Sequence, residues 1–402
     1  MPAVRARLLT PVGPDAVRYE PDAVIAWGDD GVIEHVARWD GDEVDDDLRP
    51  QVLLPGFVDA HVHYPQTRIV GRASGPLLSW LTSTTFPEEA RFADPLYAEE
   101  AADEFVARLA AAGTTCAFVY GSSHDGATHA LLRALGRTGT KAIAGPVWMD
   151  DDAPVALLRP ASASAALVDG LAPPPGIEIA VVPRFALSCT PEALALAGRT
   201  AARGGRWIST HLSETVEERR RSVERFAAPD PLAILERAGL VGPRTVLAHC
   251  VHLTSSEWDR LAKARAIVAH CPDSNDFLGS GGMPIREVLD RGIRIAIGSD
   301  VGAGRTFRIP RILCAAYDNA LRQGVALSPE RLLWWGTRGG ALALGHGEAG
   351  MLAPGLDADL VAFPAPPHTD AAGILAALLF DHDAPPITHT WIKGRLISHK
   401  PL

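Results

Sequence analysis

Histidines and carboxylates that end apolar, strand-like runs are the residues of this sequence best suited to chemistry. His61 and His63 form an H-V-H element at the end of the run LLPGFVDAHVH. Residues two apart in an extended segment point to the same side, so both imidazoles can reach one ion. An H-x-H element alone is weak evidence of a metal site, because a histidine at a strand end is more often a hydrogen-bonded core or rim residue.

Residues at the ends of other apolar runs strengthen the metal interpretation. His211, His249 and Asp300 end the runs RWISTHL, TVLAHC and IRIAIGSD. Imidazole nitrogen and carboxylate oxygen favour zinc over magnesium or calcium. The P-C-x-x-C element of cytidine-type zinc deaminases is missing, so histidine and carboxylate must supply the ligands. The sequence therefore predicts a catalytic zinc ion.

Glu214 follows His211 by three residues, in H-L-S-E. An isolated loop glutamate is usually solvated. Beside a catalytic metal, however, a carboxylate that is not a ligand can take a proton from the attacking water and return it to a leaving nitrogen. The spacing therefore favours a hydrolytic enzyme in which Glu214 moves protons.

These residues need elements that bring them to one face. Between residues 53 and 349, strand-like runs alternate with helical stretches, and the runs are LLPGFVDAHVH, TTCAFVYG, KAIAGPVW, IEIAVVPRF, RWISTHL, TVLAHCV, AIVAHC and IRIAIGSD. Eight such runs predict an α/β fold, a (β/α)₈ TIM-type barrel, whose strands all end at the face that carries active sites. A doubly wound open sheet would show the same alternation.

Both terminal regions differ from residues 53–349, because their sequences predict short strands and turns without intervening helices. In residues 1–52, Gly-Asp-Asp-Gly separates the apolar runs AVIAW and VIEHVARW and indicates a hairpin, and residues 350–402 resume the same pattern. Neither piece has enough apolar surface for a core of its own. We therefore expect the two pieces to combine into one small β-sandwich domain beside the barrel.

Charge and hydropathy exclude several classes of partner. The 402 residues carry a formal net charge of −10, which provides no basic field for a nucleic-acid backbone. No apolar run reaches the roughly 18 to 20 residues that cross a bilayer, and the amino terminus lacks the apolar core of a signal peptide. These features favour a soluble, cytoplasmic protein whose partner is a small molecule.

Several motifs, in chain order, narrow the class further. They are PGFVDAHVHYPQ (55–66), PRFALSCT (183–190), HLSE (211–214), HCVHL (249–253), HCPDSN (270–275) and SDVGAG (299–304). Together they resemble the guanine deaminases of the amidohydrolase superfamily. The metal-binding motifs carry the superfamily resemblance, and the Tyr-Pro-Gln and Arg-Phe pieces carry the guanine deaminase resemblance.

The resemblance implies a role for each residue already singled out. The implied zinc ligands are His61, His63, His211 and Asp300. His249 would lie beside the attacked carbon, Glu214 would carry protons, and Asp300 would also accept a proton from water. The implied reaction is hydrolysis of guanine to xanthine and ammonia.

The resemblance also implies which residues hold the substrate. Gln66 can offer an acceptor and donors to the edge of a ring, and Arg184 can donate hydrogen bonds to a carbonyl oxygen. Phe185 can stack on a flat ring, although a phenylalanine beside a strand end can equally be ordinary core. Barrel relatives commonly form homodimers, so a homodimer is expected.

Alternatives to guanine remain open at this point. The same metal motifs would serve deamination of a pterin or a modified purine, or hydrolysis of a cyclic amide. A noncatalytic barrel that only binds ligands should have lost some of these positions, and all of them are filled here.

The sequence also departs from the family pattern. Arg305, Arg308 and Arg311 follow the eighth strand, and Arg68 and Arg72 follow the first. On an acidic protein these arginines could form an anion pocket, which would suit a guanine-like ring with an acidic substituent. The sequence also has Thr84 where relatives commonly carry tyrosine.

Overall fold

The computed structural model describes residues 1–73, 75–367 and 369–400. Its strands are β1 (Ala3–Gly13), β2 (Ala16–Trp27), β3 (Ile33–Arg38), β4 (Asp46–Pro55), β5 (Phe57–His63), β6 (Thr114–Tyr120), β7 (Lys141–Gly145), β8 (Val147–Trp148), β9 (Ile177–Pro183), β10 (Trp207–Leu212), β11 (Thr245–His249), β12 (Ile267–His270), β13 (Arg294–Ile297), β14 (Leu360–Phe363), β15 (His389–Ile392) and β16 (Arg395–His399).

The α-helices lie mainly between the strands of the central region. They are α1 (Leu77–Trp80), α2 (Phe86–Ala90), α3 (Pro95–Ala111), α4 (Asp125–Thr138), α5 (Ala161–Gly170), α6 (Pro191–Gly204), α7 (Val216–Phe226), α8 (Pro231–Arg237), α9 (Ser255–Ala264), α10 (Pro272–Leu278), α11 (Ile285–Asp290), α12 (Ile309–Arg322), α13 (Pro329–Gly336), α14 (Arg338–Ala343) and α15 (Ala371–Leu379). A π-helical segment, Leu81–Thr85, joins α1 to α2.

The central strands form a parallel barrel. Within the described residues the order is β5, β6, β7, β9, β10, β11, β12 and β13, with β8 paired beside β9, and β13 lies against β5. Strands β5, β6, β7 and β11 are buried along their whole length, as expected when helices cover a parallel sheet. The predicted (β/α)₈ barrel is confirmed, and each of the eight predicted runs supplies a barrel strand.

The outer helices begin and end at residues that suit helix termini, and α6 is an example. The Thr190 hydroxyl accepts the N–H of Ala193, and a proline occupies the first turn. Gly205 ends the helix with φ +58°, in the left-handed region that favours glycine. Ala197 lies on the inner face, fully buried against the barrel. Local sequence therefore sets the length of the helix, and packing of its apolar face holds it.

Strands from both termini combine into one small β domain, as predicted, and they form a single sheet. Its order is β16, β15, β14, β4, β1, β2 and β3, and neighbours are antiparallel except β1 and β4. The predicted hairpin is the turn between β2 and β3, where Gly31 has φ +76°. The strands make one hydrogen-bonded sheet, and β4 continues past residue 52. The boundaries at 52/53 and 349/350 stay predictions.

Among the described helices, none combines the length and the apolar character needed to cross a membrane.

A buried ion-pair cluster joins the small sheet to the barrel. Nζ of Lys141, at the start of β7, lies 2.7 Å from Oδ2 of Asp357 and 2.5 Å from Oδ2 of Asp359. All three side chains are less than a tenth exposed. Burial alone would lower the pKa of Lys141, but the two carboxylates hold it above its ordinary value. The ammonium therefore stays charged and balances two buried carboxylates at the contact between the two parts of the fold.

We predict that Lys141→Met destabilises the protein by about 3 to 5 kcal/mol, because removing one partner leaves buried charge uncompensated. Thermal unfolding of the metal-loaded protein measures the change. Lys393→Met is the matched control: its exposed ammonium lies 3.7 Å from the same Asp357, so its loss should cost less than about 1 kcal/mol. Equal unfolding temperatures for the Lys141 variant and the parent would contradict the prediction.

Candidate metal centre and active site

The barrel closes between β5 and the segment that follows β13. The Asp300 N–H donates to the carbonyl of His61 at 2.8 Å, and the His63 N–H donates to the carbonyl of Val301 at 3.0 Å. Gly298 permits the close approach, since a Cβ at that position would lie 2.6 Å from Cβ of His61. Closure therefore places the aspartate beside the H-V-H element.

The four predicted zinc ligands come together at the carboxyl end of the barrel. Nε2 of His63 lies 3.2 Å from Nε2 of His61 and 3.3 Å from Nε2 of His211. Oδ1 of Asp300 lies 3.2 Å from Nε2 of His61 and 3.3 Å from Nε2 of His63. One potential ligand atom from each residue lies within 4.8 Å of all the others. These four residues are called the metal centre below.

The protonation of this group suits a cation. Nδ1 of His211 lies 2.6 Å from the Arg184 carbonyl, which can only accept, so Nδ1 carries the proton and Nε2 presents a lone pair to the metal centre. Burial lowers the pKa of His63 to about 4, so this imidazole is neutral. Burial alone would raise the pKa of Asp300, but His61 and His63 hold it well below its usual range. Neutral imidazoles around a carboxylate are the donor set of a zinc site.

Asp59 was not predicted from the sequence. Its carboxyl links β5 to the segment after β13, where the barrel closes. Its Oδ1 accepts the N–H of Ser299 at 2.9 Å and the N–H of His61 at 3.2 Å. The side chain is fully buried, and burial raises its pKa to about 7. A carboxyl in the middle of the apolar run LLPGFVDAHVH was the available signal, because such a residue needs buried partners.

Glu214 and His249 lie next to the metal centre and face each other. Oε2 of Glu214 is 3.5 Å from Nε2 of His249, and that nitrogen is 3.9 Å from Oδ2 of Asp300. Burial, and then the charge of Asp300, raises the pKa of Glu214 to about 8. Ser280 donates to Oε1 of Glu214 at 2.9 Å, and Nδ1 of His249 pairs with Oδ1 of Asn275 at 2.8 Å. Glu214 can therefore carry a proton near neutral pH, and His249 is held in a single orientation.

Several of these residues have strained backbones. His249, Asp300 and Ser213 have φ values of +69°, +49° and +49°, in the left-handed region that non-glycine residues rarely adopt. Such conformations cost about 1 to 3 kcal/mol each and are concentrated at functional sites. The backbone thus turns sharply at the strand ends where the chemistry-bearing side chains enter the site.

A pocket of about 420 Å³, including its open mouth, adjoins the metal centre. The predicted substrate residues Gln66, Arg184 and Phe185 all lie on its wall and are at most 5% exposed. The complete lining is His63, Gln66, Leu77, Trp80, Leu81, Arg184, Phe185, His211, Glu214, Glu218, Leu278, Asp300 and Ala303. Six of these residues are apolar and seven are polar or charged, a combination that suits a flat, aromatic ligand with polar atoms at its edge.

Two glutamates at the pocket were not predicted. Glu218, on α7, accepts the backbone N–H of Glu214 at 2.9 Å, and burial raises its pKa to about 8. Glu89, on α2, accepts hydrogen bonds from both Gln66 and Arg184. Both are buried, although charged side chains on short helices usually indicate a solvated face. Only their tertiary contacts distinguish them from surface residues.

The arginines after the eighth strand do not form the expected anion pocket. Arg305 pairs with Asp273, and its side chain is 52% exposed. Arg308 and Arg311 donate to main-chain carbonyls of residues 381–385. None of the three lines the pocket beside the metal centre. The interpretation was wrong because sequence proximity showed the charges and not their partners.

The two arginines after the first strand also lie away from the pocket: one pairs with a glutamate and the other is exposed. Nε of Arg68 lies 2.8 Å from Oε2 of Glu104 on α3, and Arg72 is exposed to solvent. Thr84 is part of the π-helical segment and is not among the pocket residues. Of the residues that depart from the family pattern, none contributes to the pocket wall.

The fold and the site together define a barrel enzyme with a metal centre at the carboxyl ends of its strands. The chain belongs to the amidohydrolase family, whose model matches residues 52–397. It is 37% identical over 322 residues to the guanine deaminase of Escherichia coli (strain K12), covering 78% of this chain and 73% of that protein. The resemblance noted in the sequence is confirmed.

Solved structures agree with this assignment. A guanine deaminase from C. acetobutylicum with guanine bound in its active site has a TM-score of 0.92 and 26% identity, over 98% of this chain and 99% of that one. An adenosine deaminase from Xanthomonas campestris with bound zinc has a TM-score of 0.83 and 26% identity, over 99% and 92%. The whole fold, including the small sheet, is therefore shared with these enzymes.

We predict that the purified protein binds about one zinc ion per chain and that His63→Ala removes it, because the imidazole of His63 lies at the centre of the ligand group. Metal analysis by mass spectrometry gives the stoichiometry. His129→Ala, on the exposed face of α4, is the control and should keep the ion. Full zinc content in the His63 variant would show that the ligands are elsewhere.

Proposed function

We propose that this protein hydrolyses guanine to xanthine and ammonia, with one zinc ion held by the metal centre. The observation that carries the proposal is the position of Glu214: a buried carboxyl with a pKa of about 8 lies 3.5 Å from His249, on the wall of the pocket that adjoins the metal centre. The guanine deaminases among its relatives support guanine as the ring. The zinc bound to the Xanthomonas campestris enzyme supports the choice of metal.

The residues present fit zinc, because one potential ligand atom from each of three imidazoles and one carboxylate lies within 4.8 Å of all the others. When bound, zinc would lower the pKa of water to about 7, so that water could attack a ring carbon at neutral pH.

The side chains around the metal centre then divide the proton transfers between them. Asp300, whose low pKa keeps it ionised, can accept a proton from the attacking water. Glu214 gives its own proton to the ring nitrogen beside the attacked carbon, takes up the proton that Asp300 received from water, and passes it to the amine; the proton of the hydroxyl on the ring carbon then returns to Glu214. With Nδ1 of His249 donating to Asn275, its Nε2 is a hydrogen-bond acceptor for the O–H added to the ring. Ammonia leaves, and an oxo group remains on the carbon.

The pocket wall holds the rest of the ring. Arg184 donates to the ring carbonyl, Gln66 pairs with polar atoms at the ring edge, and Phe185 packs on the ring. A substrate with an acidic substituent is not favoured. Among the lysines and arginines that the structure describes, Arg184 alone lines the pocket, and Glu89 already neutralises it. A cytoplasmic homodimer with domains divided at 52/53 and 349/350 completes the proposal.

We predict that the zinc-loaded protein releases ammonia and xanthine from guanine and that Glu214→Gln lowers kcat by about 10²-fold or more, the scale of a general acid–base group. The amide cannot move protons but keeps the shape of the side chain, so zinc content and unfolding temperature should hold. Turnover is followed by ultraviolet absorbance and by ammonia release.

Glu217→Gln serves as the control, since Glu217 is an exposed neighbour paired with Arg220, and it should retain the parent's kcat. A parent enzyme that releases no ammonia from guanine would overturn the proposed substrate. An active parent with a fully active Glu214 variant would overturn only the proton-transfer role.

A further inference from the structure

Glu89 connects the two polar side chains of the substrate wall without lining the pocket itself. Its Oε1 accepts Nε2–H of Gln66 at 3.0 Å, and its Oε2 accepts N–H of Arg184 at 2.7 Å. The three side chains are 5%, 1% and 3% exposed. One carboxylate thus uses each of its oxygens on a different substrate-holding residue, in a region from which water is largely excluded.

The contact with Glu89 determines how the amide of Gln66 faces the pocket. Oε1 of Gln66 accepts the N–H of Gly302 at 2.9 Å, so the amide oxygen and the amide nitrogen each have a fixed partner. Exchange of the two ends would set oxygen against the Glu89 carboxylate and nitrogen against a backbone donor, both of which are unfavourable. The amide is therefore locked in one orientation, with its second N–H left for a ligand.

Glu89 restrains Arg184 in a comparable way. One guanidinium nitrogen is bound to Glu89, and Cζ lies 5.4 Å from the centre of the Phe86 ring on the same helix as Glu89. The backbone carbonyl of Arg184 accepts from Nδ1 of His211, a residue of the metal centre. The guanidinium nitrogen that binds Glu89 also donates to Sδ of Met149 at 3.9 Å. Both the backbone and the guanidinium of Arg184 are thus restrained, and its Nη2 remains for a ligand.

The charge of Glu89 matters as well as its position. A guanidinium that is only 3% exposed, with no carboxylate beside it, would place an uncompensated positive charge on this part of the wall and would attract anions. The Glu89–Arg184 pair is neutral overall, so this part of the wall offers directed donors without net charge. This arrangement suits an uncharged ring with a carbonyl oxygen.

We propose that Glu89 is a positioning residue that orients Gln66 and Arg184 for an uncharged, carbonyl-bearing ring. The inference rests on the proposed function, because it assumes that these two side chains hold the substrate. It assigns Glu89 an effect on substrate binding and not on proton transfer, since Glu214 and His249 do not contact it.

The test is Glu89→Gln in the zinc-loaded protein, with guanine as substrate. An amide offers one acceptor oxygen in place of two, so at least one of the two hydrogen bonds is lost. We expect KM to rise about tenfold to hundredfold, the scale of a charge-assisted hydrogen bond, while kcat stays within about threefold. Glu89→Asp keeps the charge and shortens the reach, and its KM should lie between the two.

Glu88→Gln is the matched control. Glu88 is the preceding residue, is equally buried, and binds Tyr97 and Arg91 away from the pocket, so its variant should keep the parent's KM. The double variant Glu89→Gln with Arg184→Gln supplies a readout that a merely structural role would not move. Because Glu89 is proposed to act on Arg184 as well as on Gln66, Glu89→Gln should raise KM by a smaller factor in the Arg184→Gln background than in the parent.

Each outcome decides the matter. The positioning role would be overturned by an unchanged KM in Glu89→Gln, or by an effect on KM that is undiminished in the Arg184→Gln background. It would also be overturned if Glu89→Gln lost its zinc or unfolded at a clearly lower temperature than the parent. Failure of the parent to deaminate guanine would instead overturn the proposed function, and the positioning role with it.

Discussion

The hydrogen bonds that close the barrel between β5 and the segment after β13 determine where the candidate metal centre lies. They join the backbones of His61 and His63 to those of Asp300 and Val301, and Asp59 adds a buried carboxylate across the same seam. Residues 61 and 300 are far apart in sequence, so only closure can bring this carboxylate among the imidazoles. An open sheet with the same strands would leave the aspartate at one edge and the H-V-H element at the other.

Burial gives the assembled groups their chemical character. It keeps the imidazoles neutral, as the pKa of about 4 for His63 shows, and it raises the pKa of Glu214 to about 8. Asp300 is the exception, because the hydrogen bonds from His61 and His63 keep it ionised despite its burial. One low-dielectric pocket therefore holds an ionised carboxylate next to a carboxyl with a raised pKa, as the proposed hydrolytic deamination requires.

The sequence was most informative where a residue's position follows from the periodicity of its own element. Each predicted ligand ends an apolar run, and parallel strands in a barrel end at one face, so the convergence of the ligands follows from the sequence pattern alone. The barrel and the sheet built from both termini followed from the same patterns.

Residues that act through distant partners could not be found in this way. Glu89 reaches Gln66 and Arg184, which are 23 and 95 positions away, and nothing in the run FPEEA distinguishes it from its neighbour Glu88. The anion pocket failed for the converse reason. Arg305 carries the expected charge, but Asp273, 32 positions earlier, neutralises it outside the pocket.

A crystal structure of the zinc-loaded Glu214→Gln variant with guanine bound tests the central claim most directly. The account predicts an anomalous zinc signal within bonding distance of His61, His63, His211 and Asp300. It also predicts the amine-bearing carbon of guanine beside residues 214 and 249, with the ring carbonyl on Arg184. A metal bound by other residues, or a ring held away from Arg184 and Gln66, would contradict it.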